Sequence, residues 1–245
     1  MKPLFLTDCD DTLFTTARKI KDAVLDECEI ASTLTDGSPS GYRTPRLQYL
    51  RTLMETGDVV PVTARSREVL ARCDVPQAPA ICSNGGVIVG TDGKIDDEWH
   101  AMIVANVGDG SQIRGIHARA AELAGEGFRH WTVDEGEVPL YICLKSNASD
   151  DETVVALGEK VRQDGLPEGW RIHVNGNNLA LMPPWISKRS AARHLLAKIR
   201  SETPHRLVIG AGDSISDLGF MAECDFALHP TSSQIGGHLS KSHDW

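Results

Sequence analysis

The sequence predicts an α/β fold in which a core with a parallel sheet is interrupted by an inserted α+β domain. Strand-like apolar runs alternate with helix-like patterns from the first residues onward, which is typical of parallel sheets. Between Val87 and Met182 several strand-like runs follow one another, and the alternation then resumes up to the end of the 245 residues. We therefore expect a core formed by residues 1–84 and 185–245 and an inserted domain formed by residues 85–184.

The first strand and the first helix of the core have the clearest patterns. Leu4 to Thr7 is an apolar run that predicts a buried strand. Thr44 and Pro45 are typical of an N-cap and a first helical position. The apolar side chains that follow at helical spacing stop at Gly57, which predicts the end of that helix.

Two more strands are predicted before the insert. The first is Val59 to Thr63, although Pro61 conflicts with this interpretation because proline donates no hydrogen bond to a sheet ladder. The second is Ala80 to Ser83, and the Asn-Gly-Gly run after it predicts a turn. The long segment 19–42 contains a turn-rich stretch, and its role as a flap or as a surface excursion stays open.

The insert and the second half of the core complete the prediction. The expected elements, in chain order, are a hairpin around residues 86–94, a helix at Ile113–Ala124, a strand at Pro139–Leu144, a helix at Glu152–Gln163, strands at Trp170–Val174 and Leu179–Met182, a helix at Lys188–Arg200, a strand at Leu207–Gly210 and a helix that begins near Ser214.

Charge and hydropathy exclude several classes of protein. A net charge of -9 argues against broad binding to nucleic acids or to anionic membranes. No run of apolar residues is long enough for a transmembrane helix, and the N-terminal apolar run is too short for a signal peptide. We expect a cytoplasmic protein whose anionic ligands are bound in a local pocket.

The six cysteines are scattered, without a CxxC pair or a spacing typical of metal sites. Free thiols in a reducing compartment are therefore expected rather than disulfides or zinc ligands. We interpret these cysteines as small buried residues.

Three carboxylates follow the first strand directly, at Asp8, Asp10 and Asp11. Like charges at the end of a buried strand repel one another, and the usual compensation is a metal ion or a cationic ligand clamp. An acidic turn in solvent is the alternative interpretation of this segment alone.

Three later segments place related chemistry at strand ends or helix starts. Thr63 follows a predicted strand and Arg65 lies two residues on. Lys188 follows the predicted N-cap Ser187 at a helix start, where backbone N–H groups and a lysine make an anion site. A lysine in solvent is the alternative there.

The last of these segments is a glycine-flanked acid after an apolar run. Asp213 follows Gly212, and Asp217 lies four residues further on. Both carboxylates can point to one end of the sheet, which suits a hard cation with oxygen ligands. Stabilisation of a helix N-terminus is the alternative, and it accounts better for Asp217 than for Asp213.

Taken together and in this order, the four segments resemble the signature motifs of the haloacid dehalogenase (HAD) superfamily of phosphotransferases. The matching stretches are residues 8–13, 62–66, 187–188 and 212–217. The resemblance implies a Rossmann-like core. An insert between the threonine and lysine motifs is similar to the type C2 cap of Cof-type and sucrose-phosphate-phosphatase-like members, which are mostly sugar-phosphate phosphatases.

Two positions depart from the family pattern. The family usually has glycine at the position of Asp11, and aspartate tolerates a left-handed backbone better than most residues. The usual glycine between the threonine and the arginine is Ala64 here, which weakens the resemblance at Arg65.

The resemblance implies a role for each matching residue. Asp8 would be the nucleophile and Asp10 the general acid and base. Mg2+ would be held by Asp8, the main-chain carbonyl of Asp10, Asp213 and Asp217. Thr63 and Lys188 would bind the phosphoryl group, with Thr12 as a nearby hydroxyl, and Arg65 and Asn84 would contact the substrate.

The expected partner is a small phosphorylated metabolite, most simply a sugar phosphate, selected by the inserted domain. Both junctions of the insert lie beside motif strands, so we expect it to close over the acid cluster. Its polar candidates for substrate contact, each equally well explained as a solvated surface residue, are Asn84, Arg129, His130, Lys145, His173, Asn175 and Asn177.

Two alternatives to a phosphatase stay open. A phosphomutase of phosphomannomutase type would share the cap class and the paired aspartates, and it would leave phosphate on the sugar. A non-catalytic phosphosugar-binding protein would not require both Asp8 and Asp10. The sequence does not predict the oligomeric state or name the sugar.

Overall fold

The computed structural model describes residues 2–20, 22–148 and 151–241. The chain divides into two compact units, which we treat separately. Unit 1 comprises Met1–Trp99 and Ser187–Trp245, and unit 2 comprises His100–Ile186. That residues 85–184 act as a substrate-specificity domain stays a prediction.

The helices and strands follow one another in three stretches. The first stretch contains β1 (Leu4–Thr7), β2 (Glu29–Thr33), β3 (Pro39–Arg43), α1 (Pro45–Met54), β4 (Asp58–Pro61), α2 (Arg67–Leu70), β5 (Ala80–Cys82) and β6 (Val87–Val89). The second contains α3 (Asp97–Val107), α4 (Ser111–Ala124), β7 (Phe128–Glu135), β8 (Val138–Ser146), α5 (Asp151–Asp164), β9 (Arg171–Asn175) and β10 (Asn178–Met182). The third contains α6 (Lys188–Glu202), β11 (Val208–Ala211), α7 (Leu218–Met221), β12 (Phe226–Leu228) and α8 (Gln234–Lys241).

Unit 1 is built on a parallel four-stranded sheet with the order β12-β11-β1-β4. All four residues of β1 are buried, as expected for a strand with neighbours on both edges and cover on both faces. Leu4 pairs with Val208 of β11 and with Asp58 of β4, so the three strands end at the same level. The predicted α/β fold with a parallel sheet is confirmed.

Unit 2 contains an antiparallel sheet with the order β7-β8-β10-β9. The helices α4 and α5 pack on one face of this sheet, where Leu144 and Leu179 are fully buried. Gly158 of α5 lies so close to this face that a Cβ atom there would meet Leu179 at 3.3 Å. This is the α+β architecture that the sequence predicts for the insert.

Pro61 is accommodated at the end of β4. Val62 donates to Thr7 of β1 and Thr63 donates to Ile81, so successive amides point to opposite sides of the strand. By this alternation the nitrogen of Pro61 faces the β5 side, where pairing begins only at Val62. The missing N–H group therefore removes no bond from the ladder with β1.

Several elements differ from the prediction. The long strand β7, the helix α3, the short strand β12 and the helix α8 were not predicted, because their apolar residues follow no clear period. The expected hairpin around residues 86–94 forms in part, since Gly90 donates to the carbonyl of Lys94 and Val89 bridges to Ile95. The strand β6 also pairs with the preceding strand β5, which was not predicted. The segment 19–42 contains the antiparallel pair of β2 and β3.

The cysteines are all free thiols, as predicted. Cys9, Cys73 and Cys82 are buried, whereas Cys28, Cys143 and Cys224 are half-buried, so the expectation of uniform burial is wrong for three of them. Among the described residues, no helix is long and apolar enough to cross a membrane.

Candidate active site

The predicted site residues of unit 1 gather at the carboxyl ends of its parallel strands. Asp8 follows β1 directly, and Asp213 follows β11 after one glycine. Thr63 lies two residues beyond β4, and Lys188 is the first residue of α6. In open parallel sheets this edge is where ligands bind, because loops and helix N-termini converge there.

Lys188 joins two carboxylates in the interior of the site. Its Nζ donates to Oδ1 of Asp8 at 2.7 Å and to Oδ1 of Asp217 at 2.7 Å. The side chains of the three residues are at most 10% exposed. Charge-assisted hydrogen bonds in so little water are strong, and the loss of one partner would leave a buried charge unpaired.

The short 3-10 turn Ile215–Asp217 fixes the position of Asp217. Its Oδ2 accepts hydrogen bonds from the backbone nitrogen of Ser214 at 3.0 Å and from the Ser214 hydroxyl at 2.7 Å. Gly212 passes so close that a Cβ atom there would lie 2.5 Å from Cβ of Asp217. The glycine before Asp213 is thus required by the close approach of Asp217.

Asp8, Asp213 and Asp217 form an acid cluster, in which one carboxylate oxygen from each lies within 4.8 Å of the others. Asp8 and Asp217 are buried, and Asp213 is half-buried. Carboxylate oxygens in this number and spacing fit the ligand preference of Mg2+.

Burial and mutual repulsion shape the charges of the acid cluster. Burial raises the pKa of Asp8 to about 8, and Asp217 and Asp10 add to this effect while Lys188 opposes it. Burial and the charge of Asp217 raise the pKa of Asp213 to about 6. Burial disfavours the ammonium of Lys188, yet Asp8 and Asp217 raise its pKa, so it stays charged. One ammonium does not balance three carboxylates, and a further cation would favour their ionised forms.

Asp10 is held by Arg65 rather than by the acid cluster. The Nε of Arg65 donates to Oδ2 of Asp10 at 2.8 Å, and its Nη2 donates to Oδ1 at 2.7 Å. The guanidinium also lies 5.0 Å from the centre of the Phe14 ring. The predicted contact of Arg65 with the substrate stays a prediction, because the guanidinium group of Arg65 binds Asp10 in this structure.

Thr63 and Asn84 meet in two adjacent loops. The Thr63 hydroxyl accepts from the backbone nitrogen of Arg65 at 3.1 Å, and the backbone nitrogen of Asn84 donates to the carbonyl of Thr63 at 2.9 Å. Ser83, Asn84 and Gly85 all have positive φ, at 50°, 56° and 92°. Strain of this kind, about 1–3 kcal/mol for each non-glycine residue, clusters at functional sites.

The turn at Gly85 lies against the start of α6. A Cβ atom at Gly85 would lie 2.3 Å from the carbonyl oxygen of Ser187, so only glycine fits. Ser187 caps α6 by accepting from the backbone nitrogen of Ser190 at 3.3 Å, as predicted. The loop of Asn84 and the helix that carries Lys188 are therefore in direct contact.

Two residues beside Asp10 have unusual environments. Asp11 has a φ of 59°, which agrees with the expectation that it replaces a glycine. The Thr12 hydroxyl is buried and makes no hydrogen bond with any other described residue, and the same holds for the Ser83 hydroxyl.

The predicted substrate contacts in unit 2 lie on both faces of its sheet. Arg129 pairs directly with Lys145, and Lys145 and Asn175 both pair with Asn178 of β10, so these side chains share a face. His173 lies two residues from Asn175 and therefore shares it too. His130 lies on the helix-covered face and bonds to His117 at 2.9 Å. Asn177 lies in the turn between β9 and β10, where its amide donates to the carbonyl of Ser146 at 3.2 Å.

A second acid group was not predicted. Asp96, Glu98 and His194 also have close ligand atoms. Lys198 already donates to Asp96 at 2.7 Å and contacts Glu98 at 3.1 Å, so these carboxylates are compensated. The sequence gives no indication of this group, because His194 lies about a hundred residues from Asp96 and Glu98.

No protein-family model and no curated protein sequence matches this chain. Its fold does match solved structures. The sucrose-phosphatase of Synechocystis, solved with sucrose and phosphate, is 17% identical with a TM-score of 0.52, and the match covers 98% of this chain and 96% of that one. The C-terminal domain of the Candida albicans trehalose-6-phosphate phosphatase is 12% identical with a TM-score of 0.55, covering 89% and 72%. A Thermoplasma acidophilum protein is 15% identical with a TM-score of 0.51, covering 98% of each chain. At these identities the likeness shows a shared fold.

Proposed function

We propose that this chain, which has the fold of HAD-type phosphatases, is a Mg2+-dependent phosphatase that hydrolyses a small phosphorylated metabolite through an aspartyl-phosphate. The observation that carries the proposal is the contact of the Asp8 carboxylate with the buried Lys188 ammonium, beside the carboxylates of Asp213 and Asp217. This arrangement lies at the ligand-binding edge of a parallel sheet.

Asp8 acts as the nucleophile in this proposal. One carboxylate oxygen of Asp8 attacks phosphorus, and the bond from phosphorus to the leaving oxygen breaks. Attack requires the ionised carboxylate, and the ammonium of Lys188 at 2.7 Å favours that form against the effect of burial. Lys188 also offsets the negative charge of the transferring phosphoryl group.

The donor set of the acid cluster fits Mg2+. Asp8, Asp213 and Asp217 would hold the ion together with the main-chain carbonyl of Asp10, and all of these donors are oxygens. Burial, with the neighbouring carboxylates adding to it, raises the pKa values of Asp8 and Asp213, and a divalent cation would favour their ionised forms. When bound, Mg2+ would reduce the repulsion between the carboxylate nucleophile and the phosphate dianion.

Asp10 moves the protons. One oxygen of Asp10 is first released from Arg65 and takes up a proton from solvent. Asp10 donates this proton to the leaving oxygen as that bond breaks, and it then takes a proton from the water that attacks phosphorus and releases Asp8. The carboxylate of Asp10 is 45% exposed, so water has access to it. Arg65 orients both of its oxygens before the substrate arrives.

Thr63 and the start of α6 bind the phosphoryl oxygens. The Thr63 hydroxyl accepts from Arg65, and its own proton stays available for donation to phosphate. The first backbone N–H groups of α6 add donors of a kind that favours anions. Thr12 would contribute a lesser contact through its buried hydroxyl.

The substrate class is a small sugar phosphate, with the sugar bound by unit 2. The polar face of unit 2, which we define by Arg129, Trp131, Lys145 and Asn175, brings two cations to an aromatic side chain. Trp131 is 41% exposed there, which suits stacking on the apolar side of a sugar ring. The presence of sucrose and phosphate in the Synechocystis structure supports the same class.

A phosphate-release assay over a panel of phosphorylated metabolites tests this proposal. We expect turnover that requires Mg2+, that is lost in excess chelator, and that is highest for sugar phosphates. Undiminished turnover in chelator would contradict the metal assignment, and a preference for phosphopeptides or nucleotides would contradict the substrate class. Phosphate that stays on the sugar would identify a phosphomutase, and binding without turnover would identify a phosphosugar-binding protein.

The role of unit 2 has its own test. Trp131→Ala should reduce kcat/KM for the preferred sugar phosphate by about tenfold, as expected for the loss of a stacked ring. It should leave hydrolysis of a generic aryl phosphate unchanged. Val155→Ala is the matched control, because Val155 is a similarly exposed apolar residue (49%) on α5. Equal losses with both phosphates would contradict a role of this face in selectivity.

A further inference from the structure

Asp11 occupies a backbone conformation that glycine adopts most easily, and its side chain makes contacts that a glycine could not make. Its φ is 59°, and its backbone nitrogen donates to the carbonyl of Phe14 at 2.7 Å, which closes the turn after Asp8. Glycine would permit the same turn without a side chain. The turn alone therefore does not account for an aspartate at position 11, and the contacts of its carboxylate must do so.

Both oxygens of the Asp11 carboxylate are bound by the segment that follows the turn. The Thr15 hydroxyl donates to Oδ1 at 2.6 Å, and the Lys19 ammonium donates to Oδ2. Lys19 ends the short 3-10 turn Ala17–Lys19. Asp11 is 27% exposed and Lys19 is 49% exposed, so the pair is partly shielded from water.

Thr15 connects this pair to the β2–β3 hairpin. The backbone groups of Thr15 and Tyr42 exchange two hydrogen bonds, at 2.9 and 2.7 Å. The other side of the hairpin is bound to the segment after α2, since the backbone nitrogen of Asp74 donates to the carbonyl of Ala31 at 2.8 Å. The hairpin is thus bound to the segment that follows the turn of Asp10 and to the segment that follows α2.

Asp11 and Lys19 also belong to the electrostatics of the acid cluster. Asp11 raises the pKa of Asp213, and Lys19 lowers it. Asp11 without Lys19 would therefore add a fourth negative charge to a site that already has an excess. The ammonium of Lys19 neutralises the Asp11 carboxylate through their ion pair.

We propose that Asp11 and Lys19 form a latch that holds the turn of Asp10 against the β2–β3 hairpin and thereby positions Asp10 for turnover. The inference rests on the proposed function for its catalytic part only. Asp11 and Lys19 are positioning residues: they act through the turn and through Thr15. The segment 19–42 is then a support for the catalytic turn rather than a free surface excursion.

Kinetics of four variants and one control variant test the catalytic part. Asp11→Asn and Lys19→Met should each lower kcat by about tenfold with little change in KM, because small misplacements of a catalytic group are costly. The double variant should lose no more than either single one, since both remove the same interaction. Lys19→Arg keeps the charge and should retain most of the activity. Arg18→Met is the matched control, because Arg18 is an exposed neighbour with no ion pair to a described residue.

The dependence of kcat on ionic strength distinguishes the loss of an ion pair from a purely structural defect. The difference in kcat between the wild-type protein and Asp11→Asn should shrink at high ionic strength, because a partly exposed ion pair is screened. A difference that is independent of salt, or a double variant with the product of the two single losses, would overturn the latch.

Hydrogen exchange tests the latch without reference to phosphatase activity. In Asp11→Asn and Lys19→Met, the backbone amides of Asp11, Thr15 and Tyr42 should lose protection relative to the wild-type protein, and Arg18→Met should not change them. Unchanged protection would overturn the proposal even if the protein proves to be a phosphatase. Lost protection with unchanged kcat would overturn the positioning role. If no phosphate ester is hydrolysed, the proposed function fails, while the exchange data still decide whether the latch exists.

Discussion

Arg65 binds the carboxylate of Asp10 through two parallel hydrogen bonds, from Nε to Oδ2 at 2.8 Å and from Nη2 to Oδ1 at 2.7 Å. The two residues belong to the loops that follow β4 and β1, so this ion pair links neighbouring strand ends. A planar guanidinium fixes a carboxylate in a way that a lysine cannot. Both oxygens of Asp10 are engaged, and one must be released when Asp10 exchanges a proton.

The role of Arg65 leads to the first prediction. Arg65→Gln should lower kcat by about tenfold and change KM little, because Asp10 loses its orientation. Arg65→Lys should lie between the wild-type protein and Arg65→Gln, since it keeps the charge and loses the fork. Steady-state kinetics separate this from the role expected from the sequence: a raised KM with unchanged kcat would make Arg65 a substrate contact.

Asp10→Asn should slow turnover by about a hundredfold or more, the usual effect of losing a general acid and base. The asparagine can still accept one hydrogen bond from Arg65, so the fold should be retained. Rapid-quench kinetics should show slower decay of a phosphorylated enzyme than in the wild-type protein. A change in kcat below about threefold would show that another group transfers the proton.

Local patterns in the sequence predict most of the core and of the acid site. Leu4–Thr7 is a strand because its apolar run is buried, and Ser187 caps the helix of Lys188 as its position indicates. Asp8 and Asp213 could be placed together because parallel strands that end at one edge bring their following residues together. The predicted fold, a parallel-sheet core with an inserted α+β domain, is shared with the matching phosphatase structures.

The parts that were missed depend on contacts between distant residues. The bond of Arg65 to Asp10 spans 55 positions, and no local pattern encodes it. β7 alternates weakly because Trp131 is exposed and polar residues occupy its helix-covered face. The departure at Asp11 was visible in the sequence, but its partner Lys19 became apparent only from the turn that brings the two together.

Gly212→Ala should destabilise the protein by about 2–4 kcal/mol, because the new Cβ atom would overlap Asp217 and force the buried pair with Lys188 apart. Chemical denaturation measures the change. Gly115→Ala is the control, since no atom lies within 4 Å of a Cβ atom at that position in α4. Equal stability of Gly212→Ala and the wild-type protein would contradict the close packing of the site.

Glu223 contributes pH-dependent stability. Hydrogen bonds from Arg193 and Arg189 lower the pKa of Glu223 from 4.5 to about 2. Since the pKa is lowered on folding, the stabilisation is complete above pH 4.5 and is lost as the pH falls towards 2. Glu223→Gln should lower the free energy of unfolding at pH 7 by about 1 kcal/mol, a modest value because the two arginines are exposed to water.

Denaturation curves at several pH values check this prediction. The difference between Glu223→Gln and the wild-type protein should be constant between about pH 7 and pH 5.5 and should shrink below pH 4.5. Glu202→Gln, at the exposed end of α6, should have little effect at any pH. A difference in the free energy of unfolding that grows as the pH falls would contradict the prediction, because protonation of Glu223 should remove its stabilising effect.

The most direct test of the central claim is the Mg2+-dependent release of phosphate by Asp8→Asn, measured with the best substrate of the panel and compared with the wild-type protein. Asparagine matches aspartate in size and can still accept from Lys188, so circular dichroism should show an intact fold. The account predicts that Asp8→Asn releases no phosphate above background while the wild-type protein turns over. A folded Asp8→Asn protein that releases phosphate at the wild-type rate would contradict it.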